Sequence, residues 1–239
     1  MKANSDTFER IEKKYLLSKK KYRLLREYMN QYMEEDAYGL SCICNIYYDT
    51  NNYELIRQSI EKPVYKEKLR VRSYGVPNDN AKVFIEIKKK YDGVVYKRRI
   101  EMKKKEADLY LRHGIRPQKQ SQILNEIDYF LQYYHPVPKM YIAYDRIAMF
   151  GKKDESIRVT FDFHIRSRDY DLDLVKGDYG EELLNEEQVL MEIKVAGAYP
   201  LWMIAILSSL EIYPVTYSKY GAVYKNKAIH IDKGERKIC

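Results

Sequence analysis

Apolar and polar residues alternate with a period of two along most of the chain, a pattern typical of half-buried β-strands. Eight segments alternate in this way or are rich in Tyr, Val and Ile: Phe8–Leu17, Leu40–Asp49, Tyr65–Tyr74, Lys82–Tyr91, Val94–Met102, Met140–Met149, Ile157–Arg166 and Val189–Val195. Helical periodicity predicts four helices: Lys19–Glu35, Lys104–Arg112, Gln118–Tyr134 and Leu201–Glu211. Short connections between these elements predict an antiparallel α+β fold. Because no Pro/Gly/Ser-rich linker interrupts the chain, residues 1–239 are predicted to form a single domain.

Two short motifs mark the ends of predicted elements. Ser18 precedes the first helix and is a preferred N-cap residue. The segment Tyr91-Asp-Gly-Val94 places Asp-Gly, a pair that tolerates positive φ, between two predicted strands. The sequence therefore predicts a tight β-hairpin at this point.

Charged side chains recur at every second position, so they share faces of the predicted strands. The sets are Arg10, Glu12 and Lys14; Lys66, Lys68, Arg70 and Arg72; Glu86, Lys88 and Lys90; Arg158, Thr160, Asp162, His164 and Arg166; and Glu192 and Lys194. A sheet with one wet side explains any one of these faces. Together, however, they are dominated by Lys and Arg, and aligned cations repel one another unless an anion lies among them. The pattern favours an anion-binding sheet face.

Four carboxylates stand among these cations: Glu12, Glu86, Asp162 and Glu192. Several carboxylates in one cavity form the oxygen-rich site that Mg²⁺ or Mn²⁺ prefers. Cations together with such a metal suit phosphoryl transfer, because catalysis there consists of positioning and charge neutralisation. If the sheet curls into a barrel with this face inward, its interior is a polar tunnel.

The composition favours a polyanionic ligand but does not identify its chemical class. The chain has 43 Lys and Arg against 35 Asp and Glu, a formal net charge of +8. Its three cysteines, Cys42, Cys44 and Cys239, argue against a disulfide framework and a zinc site. The polar N-terminus lacks a signal-peptide core, and the longest apolar stretch, Leu201–Leu210, is too short to span a bilayer. We therefore expect a cytoplasmic protein without direct membrane insertion.

The order and spacing of nine short motifs add a resemblance to a known family. The motifs are Glu9-Arg-Ile-Glu-Lys-Lys-Tyr15, Tyr47-Tyr-Asp-Thr50, Lys66-Glu-Lys-Leu-Arg-Val-Arg-Ser-Tyr-Gly75, Val83-Phe-Ile-Glu-Ile-Lys-Lys-Lys90, Tyr96-Lys-Arg-Arg99, Tyr144-Asp-Arg146, Val159-Thr-Phe-Asp162, Leu190-Met-Glu-Ile-Lys194 and Tyr217-Ser-Lys-Tyr220. From Phe8 to about Tyr224 the chain resembles the polyphosphate polymerase domain of the vacuolar transporter chaperone (VTC) family. That family lies within the CYTH or triphosphate tunnel metalloenzyme superfamily.

The resemblance implies an eight-stranded antiparallel β-barrel tunnel with flanking helices, in which ATP donates its terminal phosphate to a growing polyphosphate chain with Mn²⁺ or Mg²⁺. By motif position, the catalytic cations are Arg70, Arg72, Lys88, Arg146 and Lys219. Further substrate-binding cations are Lys14, Arg57, Lys68, Lys90 and Lys194. Glu192 is the main metal carboxylate, and the other metal ligands are Glu12, Glu86 and Asp162.

The chain departs from the superfamily pattern at Arg10, which replaces the first acid of a Glu-x-Glu-x-Lys motif centred on Glu12. The loss of one carboxylate disfavours a two-metal hydrolase and favours a polymerase. An inorganic or nucleotide triphosphatase and a non-catalytic polyphosphate-binding module are the alternative functions. A nucleic-acid groove is disfavoured, because acids interleave with cations on the same faces. Hairpin register decides which of Lys97, Arg98 and Arg99 faces the same way.

Overall fold

The computed structural model describes residues 10–92 and 94–235, with side chains described for 11–92 and 94–227. It has ten strands: β1 (Arg10–Ser18), β2 (Met33–Glu35), β3 (Ser41–Asp49), β4 (Tyr65–Tyr74), β5 (Lys82–Tyr91), β6 (Val94–Lys103), β7 (Val137–Gly151), β8 (Arg158–Arg168), β9 (Glu181–Glu182) and β10 (Gln188–Ala196). The helices are α1 (Lys19–Met29), α2 (Glu54–Glu61), α3 (Lys104–His113), α4 (Gln122–Tyr134), α5 (Leu201–Ser209) and α6 (Lys219–Glu235). The predictions for Phe8, Cys239 and the side chain of Arg10 lie outside the described residues.

The strands form one sheet in the order β1-β10-β8-β7-β3-β4-β5-β6, with β2 beside β7 and β9 beside β8. The described pairings are antiparallel. The predicted antiparallel α+β fold is therefore confirmed, with eight strands on the main path and two short strands beside it. None of the described helices is long and apolar enough to cross a membrane.

The chain divides into two compact units. As far as their residues are described, the first unit comprises Met1–Ser41, Asp145–His164 and Leu184–Tyr217, and the second comprises Cys42–Tyr144, Ile165–Leu183 and Ser218–Cys239. Each unit has its own hydrophobic cluster. The first cluster includes Leu17, Leu25, Phe161, Met191 and Met203, and the second includes Leu69, Ile85, Leu124, Phe130 and Tyr141. The single domain predicted from the sequence stays a prediction.

Local signals in the sequence set several element boundaries. Ser18 caps α1 as predicted, since its Oγ accepts a hydrogen bond from the backbone N–H of Lys21 at 3.2 Å. The hairpin between β5 and β6 also forms where it was predicted, with Tyr91 paired to Val94 and Asp92 at a φ of 42°. The register of the whole β5–β6 ladder follows from this turn.

The first helix is shorter than the sequence pattern predicted. It ends at Met29, and Met33–Glu35 instead form β2, in which Met33 pairs with Gly151 of β7. Met29 and Met33 are both buried and are spaced by four residues, so a helix and this turn-and-strand place the same apolar side chains inward. Periodicity could not distinguish the two structures.

A local irregularity in β8 overturns one face prediction. His164 has a φ of 43°, and the regular alternation of the strand ends there. Beyond it, Arg166 donates a hydrogen bond to Asp178 Oδ2 at 2.5 Å and contacts Cys42 Sγ at 3.4 Å. Cys42 packs against the second hydrophobic cluster, so the prediction that Arg166 continues the charged face of Asp162 is wrong.

Candidate functional site

Five lysines of the second unit lie on one face of three paired strands and form what we call the lysine rows. Lys66 pairs with Lys90, Lys68 pairs with Lys88, and Lys88 pairs with Lys97. Like charges directly opposite one another in a sheet are destabilising. An anion bound here would relieve the repulsion across these pairs, so the lysine rows favour a binding role over a purely structural one.

The electrostatics of Lys66 reflect this crowding. Its pKa is lowered from the usual lysine value by partial burial and then by the neighbouring charges of Lys90, Lys62 and Lys88. Its Nζ also donates a hydrogen bond to the backbone oxygen of Ser59 in α2 at 3.2 Å. An anion placed on the lysine rows would favour the charged form of this side chain and relieve the repulsion.

One buried carboxylate organises the arginines at the next positions of the same strands. Glu86 is 2% exposed, and its Oε2 accepts a hydrogen bond from Arg70 Nε at 2.7 Å. Its Oε1 lies 3.7 Å from Arg72 Nη1 and 3.1 Å from Lys97 Nζ. Burial alone would raise the pKa of Glu86, but Arg70, Arg72 and Lys97 outweigh burial and hold this pKa at about 2.

Neutral side chains fix the two arginines further. Arg70 Nη1 donates to Tyr47 Oη at 3.0 Å, while Arg72 donates from Nε to Asn45 Oδ1 at 3.0 Å and from Nη2 to Tyr144 Oη at 3.2 Å. Both guanidinium groups are thus held in place before any ligand arrives. Preorganised planar donors of this kind suit phosphate oxygens.

The sequence did not predict this role of Asn45 and Tyr47. They alternate on β3 with the buried Cys44 and Ile46, so the same rule of every second residue could have found them. They were missed because neither side chain is charged.

The structure answers the register question in β6. Lys97 and Arg99 share the face of Glu86, because Lys97 pairs with Lys88 and Arg99 pairs with Glu86 itself. Arg98 points the other way, and its Nε lies 3.2 Å from Glu126 Oε1 in α4. Lys97 and Arg99 are therefore the cations of this segment that share the face of Glu86, a question that the sequence left open. Burial and the charges of Arg70 and Arg72 lower its pKa to about 8, although Glu86 opposes this shift.

The lysine rows, Arg70, Arg72 and Lys219 form what we call the basic cluster of the second unit, and the beginning of α6 completes it. Lys68 Nζ lies 3.4 Å from Ser218 Oγ, and Lys219 Nζ lies 4.3 Å from the ring centroid of Tyr144. Ser218 Oγ accepts a hydrogen bond from the backbone N–H of Gly221 at 3.2 Å. A helix N-terminus carries partial positive charge, so this end of α6 adds to the attraction for anions.

Asp49 ties α6 to the rest of the second unit. Its Oδ2 accepts a hydrogen bond from Tyr220 Oη at 2.8 Å, while its carboxylate also accepts from the backbone N–H groups of Leu55 and Ile56 at the start of α2. The ring of Tyr220 stacks on that of Tyr47, with centroids 5.0 Å apart. The residue next to Lys219 is thereby anchored in the core. Neither α2 nor α6 was predicted, so this arrangement was missed.

The first unit holds a second, mixed cluster of charges on the paired strands β1 and β10. Glu12 pairs with Lys194, and Lys14 pairs with Glu192. Lys14 Nζ lies 3.7 Å from Glu192 Oε2, and Lys194 Nζ forms an ion pair with Glu192 and lies 4.0 Å from Glu12 Oε2. Lys14 also donates to the backbone oxygen of Tyr217 at 2.9 Å. The predicted residues of these two strands are thus brought together.

Arg146 and Asp162 form a bidentate pair in the same unit. Arg146 donates from Nε to Asp162 Oδ1 at 2.6 Å and from Nη2 to Oδ2 at 2.8 Å, and Asp162 is 1% exposed. Because both carboxylate oxygens accept hydrogen bonds from Arg146, this geometry suits an orienting role for Asp162. The predicted role of Asp162 as a metal ligand stays a prediction.

The carboxylates differ in how well they fit a divalent cation. Among the described residues, no three His, Cys, Asp or Glu side chains converge as a ready-made metal site. Mg²⁺ is often held by only one or two carboxylates together with phosphate oxygens of the substrate. Glu192 and Glu12 fit this arrangement, and Thr160, paired with Glu192, has a buried Oγ1 without a hydrogen-bond partner in the described part of the chain. Glu86 fits it less well, because three cations surround it.

The remaining predicted residue stands apart from these clusters. Arg57 lies on the exposed side of α2. Its predicted contact with phosphate stays a prediction. The other predicted cations and carboxylates fall into the basic cluster of the second unit, the mixed cluster of the first, or the Arg146–Asp162 pair of the first.

Comparison with known proteins identifies the fold and the family. A candidate adenylate cyclase from Bacillus halodurans has a similar structure, with a TM-score of 0.55 and 17% identity over 87% of this chain and 92% of its own. A candidate adenylyl cyclase from Hippeastrum with a dominant triphosphatase activity has a TM-score of 0.50 and 14% identity, over 91% of this chain and 96% of its own. The sequence comparison with curated proteins gave no match.

These structural similarities confirm the predicted triphosphate tunnel fold, here an antiparallel sheet of about ten strands with six flanking helices. Within the described residues, hydrogen bonds do not close this sheet. The model of the VTC domain matches residues 9–226, which is most of the sequence. The chain therefore belongs to the VTC domain family.

Proposed function

We propose that this protein is a nucleotide-dependent polyphosphate polymerase. It transfers the terminal phosphate of ATP to the end of a polyphosphate chain, with Mn²⁺ or Mg²⁺ as cofactor. A terminal oxygen of the chain attacks the terminal phosphorus of ATP, the bond from that phosphorus to the bridging oxygen breaks, and ADP leaves. Membership of the VTC domain family and the two charged clusters support this proposal.

The observation that carries the proposal is the length of the basic strip along β4. Lys66 and Arg72 are six residues apart on one strand face, a distance of about 20 Å at roughly 3.3 Å per residue. Cations on β5 and β6 accompany this strip. A strip of this length can contact more phosphate groups than a single triphosphate has. It therefore favours a long phosphate chain as substrate or product.

Different side chains of the basic cluster would bind different parts of the substrate. Arg70 and Arg72, preorganised by Glu86 and their neutral partners, would hold the transferring phosphate and neutralise the charge that develops on it. Lys219, carried by α6, would add a cation there. The lysine rows would hold the polymer, because flexible point charges bind a phosphate chain without requiring one fixed position.

In the mixed cluster, Glu192 and Glu12 would hold the divalent cation and Lys14 would bind phosphate oxygens, as would Arg146 of the same unit. The metal would neutralise charge on the phosphates of the substrate. Because Lys14 and Lys194 contact these carboxylates, we expect them to exchange a carboxylate partner for phosphate when the metal binds.

Hydrolysis is the competing reaction. The similar protein from Hippeastrum has a dominant triphosphatase activity, and in such a reaction water replaces the polyphosphate end as acceptor. A polyphosphate-binding module without turnover is the other alternative. The basic strip favours a polymer over both an isolated triphosphate and a water acceptor, but only an assay of the products distinguishes the three.

The test is to incubate purified protein with ATP and Mn²⁺ or Mg²⁺ and to measure the length of the anionic product by gel electrophoresis. We expect a long polymer, and we expect Arg72→Ala and Glu192→Ala to abolish it. Arg98→Ala is the matched control, because Arg98 lies on the other face of β6 and pairs with Glu126. Release of orthophosphate alone would contradict the polymerase and indicate a triphosphatase. Binding without turnover would contradict both enzymes and indicate a polyphosphate-binding module.

A further inference from the structure

The basic strip of the second unit is asymmetric along its length. On the charged face of β4, β5 and β6, the aromatic side chains of the described residues are Tyr74 and Phe84, and both lie at the arginine end of the strip. Arg72 pairs with Phe84, and Tyr74 is the next residue on the face of Arg72. The lysine rows occupy the opposite end of the strip.

Tyr74, Phe84 and Arg99 form a compact group, which we call the aromatic platform. The rings of Tyr74 and Phe84 stand nearly perpendicular, at 83°, with centroids 5.7 Å apart. Arg99 Cζ lies 4.9 Å from the centroid of Phe84. Tyr74 is 55% exposed although it borders a charged strip. A planar aromatic ligand can therefore reach its ring.

We propose that the aromatic platform binds the nucleobase of the nucleotide substrate, with a purine stacked on Tyr74. This inference rests on the proposed function, since it assigns the base of the same substrate. Stacking on Tyr, Phe and planar guanidinium groups is the usual way in which proteins bind a base without reading its identity. We therefore expect a platform that accepts adenine and guanine alike.

The platform also sets the direction in which the nucleotide lies. The ribose separates the base from the phosphates. The base must therefore bind one or two same-face residues along the strand from the side chains that hold the phosphates. Tyr74 lies two residues from Arg72 and four from Arg70, or about 7 and 13 Å along the strand. With the base on Tyr74, the phosphates extend past Arg72 toward Arg70 and Glu86, and the lysine rows lie ahead of the terminal phosphate.

The test compares two ligands that share the phosphates and differ in the base. Dissociation constants for a non-hydrolysable ATP analogue and for inorganic tripolyphosphate are measured by calorimetry on wild type and on Tyr74→Ala. We expect the affinity for the nucleotide to fall by about 5- to 150-fold, while that for tripolyphosphate changes less than about twofold. Tyr74→Trp should retain or strengthen nucleotide binding, because it keeps a stacking surface.

Tyr96→Ala is the matched control. Tyr96 is 53% exposed on β6 but shares its face with Arg98, so its removal should leave both affinities unchanged. An equal loss for both ligands in Tyr74→Ala, or no loss for either, would overturn the platform. If the wild type makes polymer and binds both ligands, such a result leaves the proposed function intact. If the wild type binds neither ligand, both proposals fail.

Discussion

Lys97 Nζ lies 3.1 Å from Oε1 of Glu86, on the neighbouring strand. The surroundings stabilise the charged form of Glu86 and destabilise the charged form of Lys97. The carboxyl stays ionised down to about pH 2, since three cations hold its pKa there against burial. Burial and the charges of Arg70 and Arg72 destabilise the charged form of Lys97 and lower its pKa to about 8. The carboxylate organises the cluster, and Lys97 is a cation that depends on pH.

Glu86→Gln should destabilise the protein strongly, because it leaves Arg70, Arg72 and Lys97 without their buried counter-charge. We expect a loss of about 3–5 kcal/mol in the free energy of unfolding, measured with urea. Added tripolyphosphate should restore more stability to this variant than to wild type. Glu101→Gln is the control: its carboxylate is 46% exposed and pairs with Lys82 at 2.8 Å, so a change below about 1 kcal/mol is expected.

The same carboxylate predicts a pH dependence of stability. The folded pKa of Glu86 lies below the ordinary value of 4.5, so its stabilisation is present above about pH 4.5 and is lost as pH falls toward 2. We expect Glu86 to contribute about 3 kcal/mol to the acid loss of stability of wild type. Glu86→Gln should show a correspondingly smaller decline, and an unchanged acid profile would contradict the pKa assignment.

Affinity for phosphate chains should fall as pH rises through about 8, because Lys97 then loses its proton. A bound polyanion favours the charged ammonium, so binding takes up a proton in this range. We expect tripolyphosphate to bind roughly threefold to tenfold more weakly at pH 9.5 than at pH 7, measured by calorimetry. Lys97→Arg should remove most of this dependence. Equal pH profiles for the two proteins would exclude Lys97 as its source.

Removing one lysine pair should affect stability and binding in opposite directions. The double variant Lys66→Ala/Lys90→Ala relieves the repulsion across β4 and β5, so we expect its free energy of unfolding to rise by about 0.5 kcal/mol. Affinity for long polyphosphate should fall, and its products should be shorter on gels. The control Lys105→Ala/Lys119→Ala removes the same net charge from exposed positions and should shift neither quantity in this way.

Tyr220→Phe tests whether the anchoring of α6 supports Lys219. Loss of the hydroxyl that donates to Asp49 should cost about 1–3 kcal/mol of stability, because it removes a buried hydrogen bond to a charged acceptor. Affinity for tripolyphosphate should also fall, and its dependence on salt should weaken as one cation becomes less well placed. Tyr213→Phe, at a residue that is 71% exposed, is the control. Reduced stability with unchanged affinity would assign Tyr220 a structural role alone.

The period of two predicted which charged residues share the faces of the candidate site, because alternation fixes the strand faces wherever the ladder is regular. It placed Arg70, Arg72 and Glu86 correctly on one face before any register was known. Alternation gave the wrong face for Arg166, because the regular strand ends at His164, which has a positive φ. The pattern of apolar and charged residues does not show this irregularity. Face predictions therefore hold only as far as the next irregularity.

Neutral partners and short helices were not accessible to the same reasoning. Asn45, Tyr47 and Tyr144 orient the arginines through hydrogen bonds, and only the cross-strand register shows which arginine each one reaches. Helix α2 has eight residues, and Tyr53 and Lys62 flank it with left-handed backbone. Its N-cap residue, Tyr53, makes no side-chain capping hydrogen bond, and Asp49 of the preceding strand instead accepts from the backbone N–H groups of Leu55 and Ile56. Such tertiary capping does not appear as a local sequence motif.

The lysine rows also have a consequence for folding kinetics. Strands β4, β5 and β6 are consecutive, so their contacts are local in sequence and can form early, whereas β1 pairs with β10 across 170 or more residues. We therefore expect this meander to bring five lysines together before the distant strands have paired. Polyphosphate or simple phosphate in solution would screen the repulsion among these lysines. We therefore expect polyphosphate, the product that we propose, to accelerate the folding of this chain.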